Sequence, residues 1–230
     1  MKKLFPIILL TFSGLCTFAQ KSAVLESFNK YGIDPAILET EARQKPANYA
    51  YDLKYTSITG EKESVSIAKF DPSKPEESQW TVISVKGKSP SASEIKTFRK
   101  EHSKPPANAG KTDENTYKVE KDNTDYLVIS YKQDPASIPS EASFMKDCRH
   151  YITINKKTKR LEKLQSLNEK PLKIKILKAE KLDLVVKYNY NESEKVYMTE
   201  SEDLNLMVKL LGQLAPFETL SEYSNYKKVK

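Results

Sequence analysis

The sequence predicts an α+β fold in which a few short helices pack on one face of an antiparallel β-sheet of about nine or ten strands. Apolar and polar residues alternate with a period of two along much of the chain, most clearly in residues 49–55 and 182–190. Short turns rather than long helices separate these segments, which favours consecutive hairpins over parallel βαβ units. Thirteen Tyr and eight Phe, against only six Gly, are typical of a sheet filled by aromatic side chains.

The start of the chain has the composition of an export signal. Two lysines open it, residues 4–15 are mostly apolar, and a small-residue cleavage site follows at Ala19. This apolar stretch is too short and too interrupted to span a bilayer. We therefore predict that residues 1–19 are removed and that residues 20–230 form one domain that is periplasmic or otherwise associated with the cell envelope, without spanning a membrane.

Two amphipathic segments precede the first strand. Residues 22–31 place apolar side chains on one side and stop at Gly32, a common residue at the end of a helix. Asp34 is a natural N-cap, and Pro35 suits the first position of a second helix. These segments are interpreted as packing against the sheet or as a lid over it.

The best-defined stretch contains the only tryptophan, Trp80. Residues 80–85 are predicted to form a strand, and a turn at Gly87 leads to a helix whose N-cap is Ser91. Glu94 follows three residues later and completes a capping box. Trp80 either anchors the core where strand and helix meet or lines a ligand cleft, and the high average burial of tryptophan favours the core.

The second half of the chain consists mainly of strands. Residues 126–131 are apolar on both faces, which predicts cover above and below that strand. The last segment is interpreted as a strand or a short helix, because three of its apolar residues are spaced three apart. The predicted segments after residue 131 are 150–155, 161–167, 172–179, 182–190, 195–199, 204–210 and 217–229.

Charge and motifs exclude several classes of function. The net charge of +7 is spread along the chain, and only four of the 38 basic residues are Arg, which does not fit a nucleic-acid-binding surface. The chain contains no P-loop, no dinucleotide-binding glycine pattern, no G-x-S-x-G and no H-E-x-x-H motif. We predict no cofactor, no metal site and no nucleic-acid partner.

Cysteine and histidine provide one weak indication of chemistry. Cys148 and His150 are two residues apart, so both side chains leave the same face of a strand, as a nucleophile and its base or two metal ligands would. Cys148 is more simply interpreted as a small buried hydrophobe, and His102 as a cation at the end of a helix. No catalytic residue is therefore predicted. Cys16 leaves open lipid attachment at a processed N-terminus.

The segment from Phe70 to Pro90 resembles a recurring segment of uncharacterised exported proteins of Gram-negative bacteria. It combines an Asp-Pro turn, a strand that contains Trp80 and a Gly-Lys-x-Pro turn, and residues 151–159 also look like theirs. Their architecture is similar to the periplasmic lipoprotein carrier and the related mycobacterial lipid-binding lipoproteins. That resemblance implies a strongly curved sheet, or half-barrel, with helices over its concave side. It also implies an arginine that locks the lid, for which Arg43 and Arg99 are the candidates.

The predicted function follows from this resemblance. We expect a non-enzymatic exported protein that binds a lipid or a lipoprotein acyl chain in an apolar cavity. The alternative is an envelope interaction or sensor module with a packed interior and no ligand, which binds another protein by its sheet edge or convex face. An enzyme that uses Cys148 and His150 comes third. The candidate ligand-lining residues are Trp80, Tyr126, Val128, Leu184, Val186 and Tyr188.

Overall fold

The computed structural model describes residues 19–103, 110–174, 177–210 and 212–229. The predicted export signal and Cys16 lie outside the described residues, apart from Ala19, which begins the first helix. There are two α-helices, α1 (Ala19–Tyr31) and α2 (Ala92–His102). Five short 3₁₀ helices are Pro35–Leu38, Glu41–Arg43, Glu76–Ser78, Pro135–Ser137 and Ser140–Asp147.

Within the described ranges, eleven strands form one antiparallel sheet, one or two more than predicted. They are β1 (Tyr49–Thr59), β2 (Lys62–Phe70), β3 (Trp80–Val85), β4 (Thr112–Asp122), β5 (Tyr126–Gln133), β6 (Cys148–Asn155), β7 (Arg160–Asn168), β8 (Leu172–Ile174), β9 (Leu177–Asn191), β10 (Val196–Leu210) and β11 (Gln213–Lys228). Their order is β3-β2-β1-β11-β10-β9-β7-β6-β5-β4, with β8 paired to β9 beside this path. The predicted α+β class and antiparallel pairing are confirmed.

Local sequence explains the two helices. Ser91 accepts a hydrogen bond from the Glu94 backbone, and the Glu94 side chain bonds back to Ser91, so the predicted capping box is present. The α1 helix ends at Gly32, whose φ of +63° favours a residue without a side chain. Asp34 caps the next turn by accepting from the amide of Ala36 at 2.9 Å. That turn is a 3₁₀ helix rather than the predicted α-helix.

Both helices lie on the same face of the sheet. Successive cross-strand partners connect Ile129 in β5 through β6, β7, β9, β10 and β11 to Tyr55 in β1, and directly opposed residues point to one side. Ile129 packs with Phe28 of α1, whereas Tyr55 packs with Phe98 of α2. We call this side the helix-covered face and the other side the uncovered face.

Three apolar clusters fill the helix-covered face. The largest lies beneath α1 and the 3₁₀ helix Pro35–Leu38, and it includes the fully buried Leu127, Ile129, Ile152 and Ile154. A second surrounds Trp80 beneath α2. The third lies beneath the 3₁₀ helix Ser140–Asp147. The space between sheet and helices is therefore occupied by the protein's own side chains in this conformation.

Candidate functional site

A short connection crosses the helix-covered face between α1 and β1. We call residues 34–47 the strap; it contains the 3₁₀ helices Pro35–Leu38 and Glu41–Arg43. Its apolar side chains, Ile37 and Leu38, are 2% and 3% exposed and belong to the largest cluster. Runs of 3₁₀ helix have poorer hydrogen-bond geometry than α-helix, so the strap depends on tertiary contacts for its position.

Arg43 holds the strap together and fastens it to the sheet. Its Nη1 donates to the carbonyl oxygens of Ile37 at 2.7 Å and Leu38 at 2.9 Å, both within the strap. Its Nη2 donates to the hydroxyl of Tyr131 in β5 at 3.1 Å. The side chain is 7% exposed, and among the described residues no carboxylate lies within ion-pair distance of it. This is a buried cation balanced by neutral acceptors alone.

His150 lies beside this contact. Its ring stacks on Tyr131 with centroids 5.1 Å apart, and its Nδ1 lies 2.8 Å from the Oγ of Ser166. Its Nε2 is buried, and no described residue forms a hydrogen bond with it. Burial, with the positive charges of Arg43 and Arg149, lowers the pKa of His150 to about 4. The ring is therefore neutral near pH 7 and keeps an unused polar atom inside the protein.

A second polar contact fastens the far end of the strap. Lys45 lies 2.9 Å from Glu202 of β10 and donates to the hydroxyl of Tyr223 of β11 at 2.5 Å, and that hydroxyl donates to Glu202 at 2.8 Å. Burial lowers the pKa of Lys45 despite the opposing effect of Glu202, and burial together with Glu202 raises the pKa of Tyr223. Tyr51 contacts Tyr223 and also Trp80, so aromatic rings connect the strap to the α2 cluster.

The sheet separates beneath this end of the strap. The pairing of β10 with β11 ends at Ser201 and Glu222, so among the described strands residues 196–199 pair with β9 alone. The hydroxyl of Tyr226 donates to the carbonyl oxygen of Thr199 at 2.8 Å and bridges the separation. Two clefts flank it. One of about 380 Å³ lies between the strap and the β9–β10 hairpin, and one of about 350 Å³ lies between β10 and β11.

The six predicted lining residues divide between the two faces. Trp80, Leu184, Val186 and Tyr188 lie on the helix-covered face. Leu127 and Ile129 point beneath α1, and successive residues of a strand point to opposite faces. Tyr126 and Val128 therefore lie on the uncovered face, with Asn155 and Thr153 as their cross-strand partners. Tyr126 and Val128 thus do not line the space between sheet and helices, which the side chains of Leu127 and Ile129 occupy.

The surroundings of Trp80 match a core anchor. The ring is 4% exposed and lies within 5.5 Å of Phe98 and 5.0 Å of Phe70, measured between centroids. Of the two arginines suggested for locking a lid, Arg99 lies in α2, where its Nε donates to the carbonyl oxygen of Trp80. Arg43 is the one in contact with the strap.

Cys148 has the environment of a structural thiol. It is fully buried in the third cluster, and burial, with the nearby Asp147 and Glu169, raises its pKa to about 11. A thiolate nucleophile requires the opposite shift. The described part of the chain contains no group of three or more potential metal ligands. Its helices also include none that is long and apolar enough to cross a membrane.

Sequence reasoning did not predict the contact between Lys45 and Glu202 at the far end of the strap. It also did not predict Tyr131 as the partner of Arg43. Lys45 and Glu202 are 157 positions apart in the numbering of the chain, and no local pattern links them. Tyr131 was assigned to an apolar strand, without a polar role. Comparison of the chain with family models, with curated proteins and with solved structures finds no match.

Proposed function

We propose that this protein is an exported, non-enzymatic protein of the cell envelope that binds the acyl chain of a lipid or lipoprotein between the sheet and the strap. In the proposed bound state the sheet curves as a half-barrel around the ligand. The observation that carries the proposal is the construction of the strap: apolar side chains that face a large apolar surface, fastened to the sheet by the polar contacts of Arg43 and Lys45.

The physical argument concerns exchange. Ile37 and Leu38 occupy apolar space that methylene groups of an acyl chain would occupy equally well. Replacing these two side chains by an acyl chain therefore leaves the buried apolar area nearly unchanged. Displacement of the strap breaks one hydrogen bond from Arg43 to the sheet and the contacts of Lys45, because the other two bonds of Arg43 stay within the strap. Such contacts contribute about 1–3 kcal/mol each, which favours a reversible opening.

The test is native mass spectrometry of the protein purified without detergent from the envelope of its own host. We expect adducts whose masses fit acyl-chain lipids or a lipoprotein. After delipidation, a dansyl-labelled fatty acid should bind with increased fluorescence. A protein that is free of lipid as isolated and leaves the dansyl probe unchanged would remove the proposal.

A variant makes the test specific to the strap. Leu38→Asp places a carboxylate in the apolar cluster and should weaken the closed position of the strap in the unliganded protein, whereas the exposed Glu39 can be changed to Gln as the matched control. We expect the dansyl probe to bind more tightly to Leu38→Asp than to Glu39→Gln, because the ligand then displaces a strap that is held less firmly.

A second candidate function is supported by the free edge at β3. Ile83 in β3 is 46% exposed and Ile67 in β2 is 42% exposed, and the strand contains no lysine. The strand at the other end of the sheet, β4, carries the exposed Lys118 and Lys121, which are typical edge protection. An unprotected edge can accept an extended segment of another protein. A photo-crosslinking residue at position 83, with position 118 as control, should then give one defined adduct in intact envelopes.

A further inference from the structure

Arg43, which contacts Tyr131, is a buried cation whose charge is not balanced in the structure. The guanidinium is nine-tenths buried, its acceptors are two backbone carbonyls and one hydroxyl, and no carboxylate among the described residues balances its charge. Burying a charge without a counter-charge is costly, so such a group favours binding of an anion.

A second, independent observation lies next to it. The Nε2 of His150 is buried without a partner among the described residues, although its Nδ1 is hydrogen-bonded to Ser166. Buried polar atoms are almost always hydrogen-bonded, and an exception in a folded protein requires an explanation. If the hydroxyl of Ser166 donates to Nδ1, Nε2 carries the proton and is a donor that lacks its acceptor.

These groups form a polar row inside an apolar surface. Tyr131, His150 and Ser166 are direct cross-strand partners in β5, β6 and β7, on the helix-covered face. The next row on the same face, two residues along each strand, is Ile129, Ile152 and Leu164. A molecule seated here would meet polar donors at one end and aliphatic side chains beside them.

We infer that the ligand is a free fatty acid, whose carboxylate accepts hydrogen bonds from Arg43 and His150 while its chain lies along the row of Ile129, Ile152 and Leu164, between the sheet and the strap. This inference rests on the proposed function. In the bound state the carboxylate replaces the Tyr131 hydroxyl as the acceptor for Nη2 of Arg43. The freed hydroxyl then donates to the same carboxylate, and Nε2 of His150 gains an acceptor.

The charge of the site favours a monoanion over a phosphate head group. Lys45 is already paired with Glu202 at 2.9 Å, and Arg149 is paired with Glu169 at 2.8 Å. Arg43 is therefore the cation of this region whose charge remains uncompensated. One guanidinium balances a carboxylate, whereas a phosphate monoester dianion would bury an additional negative charge.

The experiment compares three ligands of equal chain length on the delipidated protein: palmitate, its methyl ester and hexadecyl phosphate. Each displaces a neutral naphthylamine probe, which reports the dissociation constant. We expect palmitate to bind at least about tenfold more tightly than the methyl ester, as a charge-assisted hydrogen bond does. We also expect it to bind more tightly than hexadecyl phosphate.

Variants assign the preference to the residue. Arg43→Gln should reduce the ratio between palmitate and methyl ester to about one while the ester still binds, since the chain contacts are unchanged. Arg99→Gln, the same substitution in α2, is the matched control and should keep the wild-type ratio. The comparison on the wild-type protein stands even if Arg43→Gln does not fold.

Each outcome is decisive. Equal affinity for acid and ester, or tighter binding of the phosphate, overturns the carboxylate site and leaves the proposed function intact. Failure of all three ligands to displace the probe, together with lipid-free protein from the host, removes both. A palmitate preference that survives in a folded Arg43→Gln variant would assign the head group elsewhere and overturn the inference.

Discussion

Lowering the pH from 7 to 5 should destabilise the folded protein mainly through one residue, His150. Burial in the core, with Arg43 and Arg149 nearby, lowers the pKa of this ring to about 4, against an ordinary value of 6.5. Because the folded state has the lower pKa, protons bind preferentially to the unfolded chain. The effect is absent above pH 6.5, grows as the pH falls from 6.5 towards 4, and is complete below 4.

The magnitude follows from this difference. At pH 5 the ring is almost fully protonated in the unfolded chain and almost fully neutral in the folded protein, which lowers the free energy of unfolding by about 2 kcal/mol. The complete effect below pH 4 is about 3 kcal/mol. Screening by solvent reduces both free energies little, because the side chain of His150 is 3% exposed.

The assay is urea unfolding of the wild type and of His150→Gln at pH 7 and pH 5. The variant should be less stable at pH 7, because it replaces a packed ring, but it should lose about 2 kcal/mol less between the two pH values. His102→Gln measures the separate contribution of the second histidine, whose pKa burial also lowers, and should remove a smaller part of the pH dependence because this ring is less buried than His150. An equal pH dependence in the wild type and in His150→Gln would refute the reasoning.

Three further predictions concern single groups. Tyr226→Phe removes the bridge to β10 and should lower the free energy of unfolding by about 1 kcal/mol in urea, whereas Tyr126→Phe, on the uncovered face, should change it little. In a chain that begins at Gln20, Cys148 should resist a thiol reagent at pH 8 and react once urea unfolds the protein, since burial raises its pKa to about 11. Ser91→Ala removes the capping box of α2 and should cost about 1 kcal/mol, read as a lower melting temperature; an unchanged melting curve would contradict the cap's role.

Particular elements show how far local pattern extends. The capping box at Ser91 and the cap at Asp34 could be read in advance, because a side chain there bonds to a backbone amide two or three residues away. The strand Trp80–Val85 and the alternation of β1 could also be predicted from nearby residues, because a period of two identifies the buried face when the other face is polar.

The last strand shows where that reasoning fails. The spacing of three between Tyr223 and Tyr226 suggested a helical turn, yet both lie in β11. Asn225 has φ of +55°, and the register to β1 shifts at this point, so two tyrosines three apart both reach the Tyr51 cluster. A bulge of this kind is decided by pairing with another strand, which a single segment does not contain.

The strand of residues 126–131 shows a second limit. Both of its faces are apolar, so its own sequence does not determine which face is buried. The pairing with β6 decides which face is buried beneath the helices. On the uncovered face, side chains provide the predicted cover: Ser130 is fully buried there and forms hydrogen bonds with Glu120 and Arg149. Tyr126 and Val128 lie on the uncovered face for this reason.

The sequence by itself determined the class of the fold, most strand positions and the helix caps, because these depend on periodicity and on contacts between residues that are near in the chain. Only the tertiary structure decided the candidate site. Arg43 meets Tyr131 across 88 positions, and Lys45 meets Tyr223 across 178. Contacts over such separations depend on the order and register of eleven strands, which no local pattern encodes.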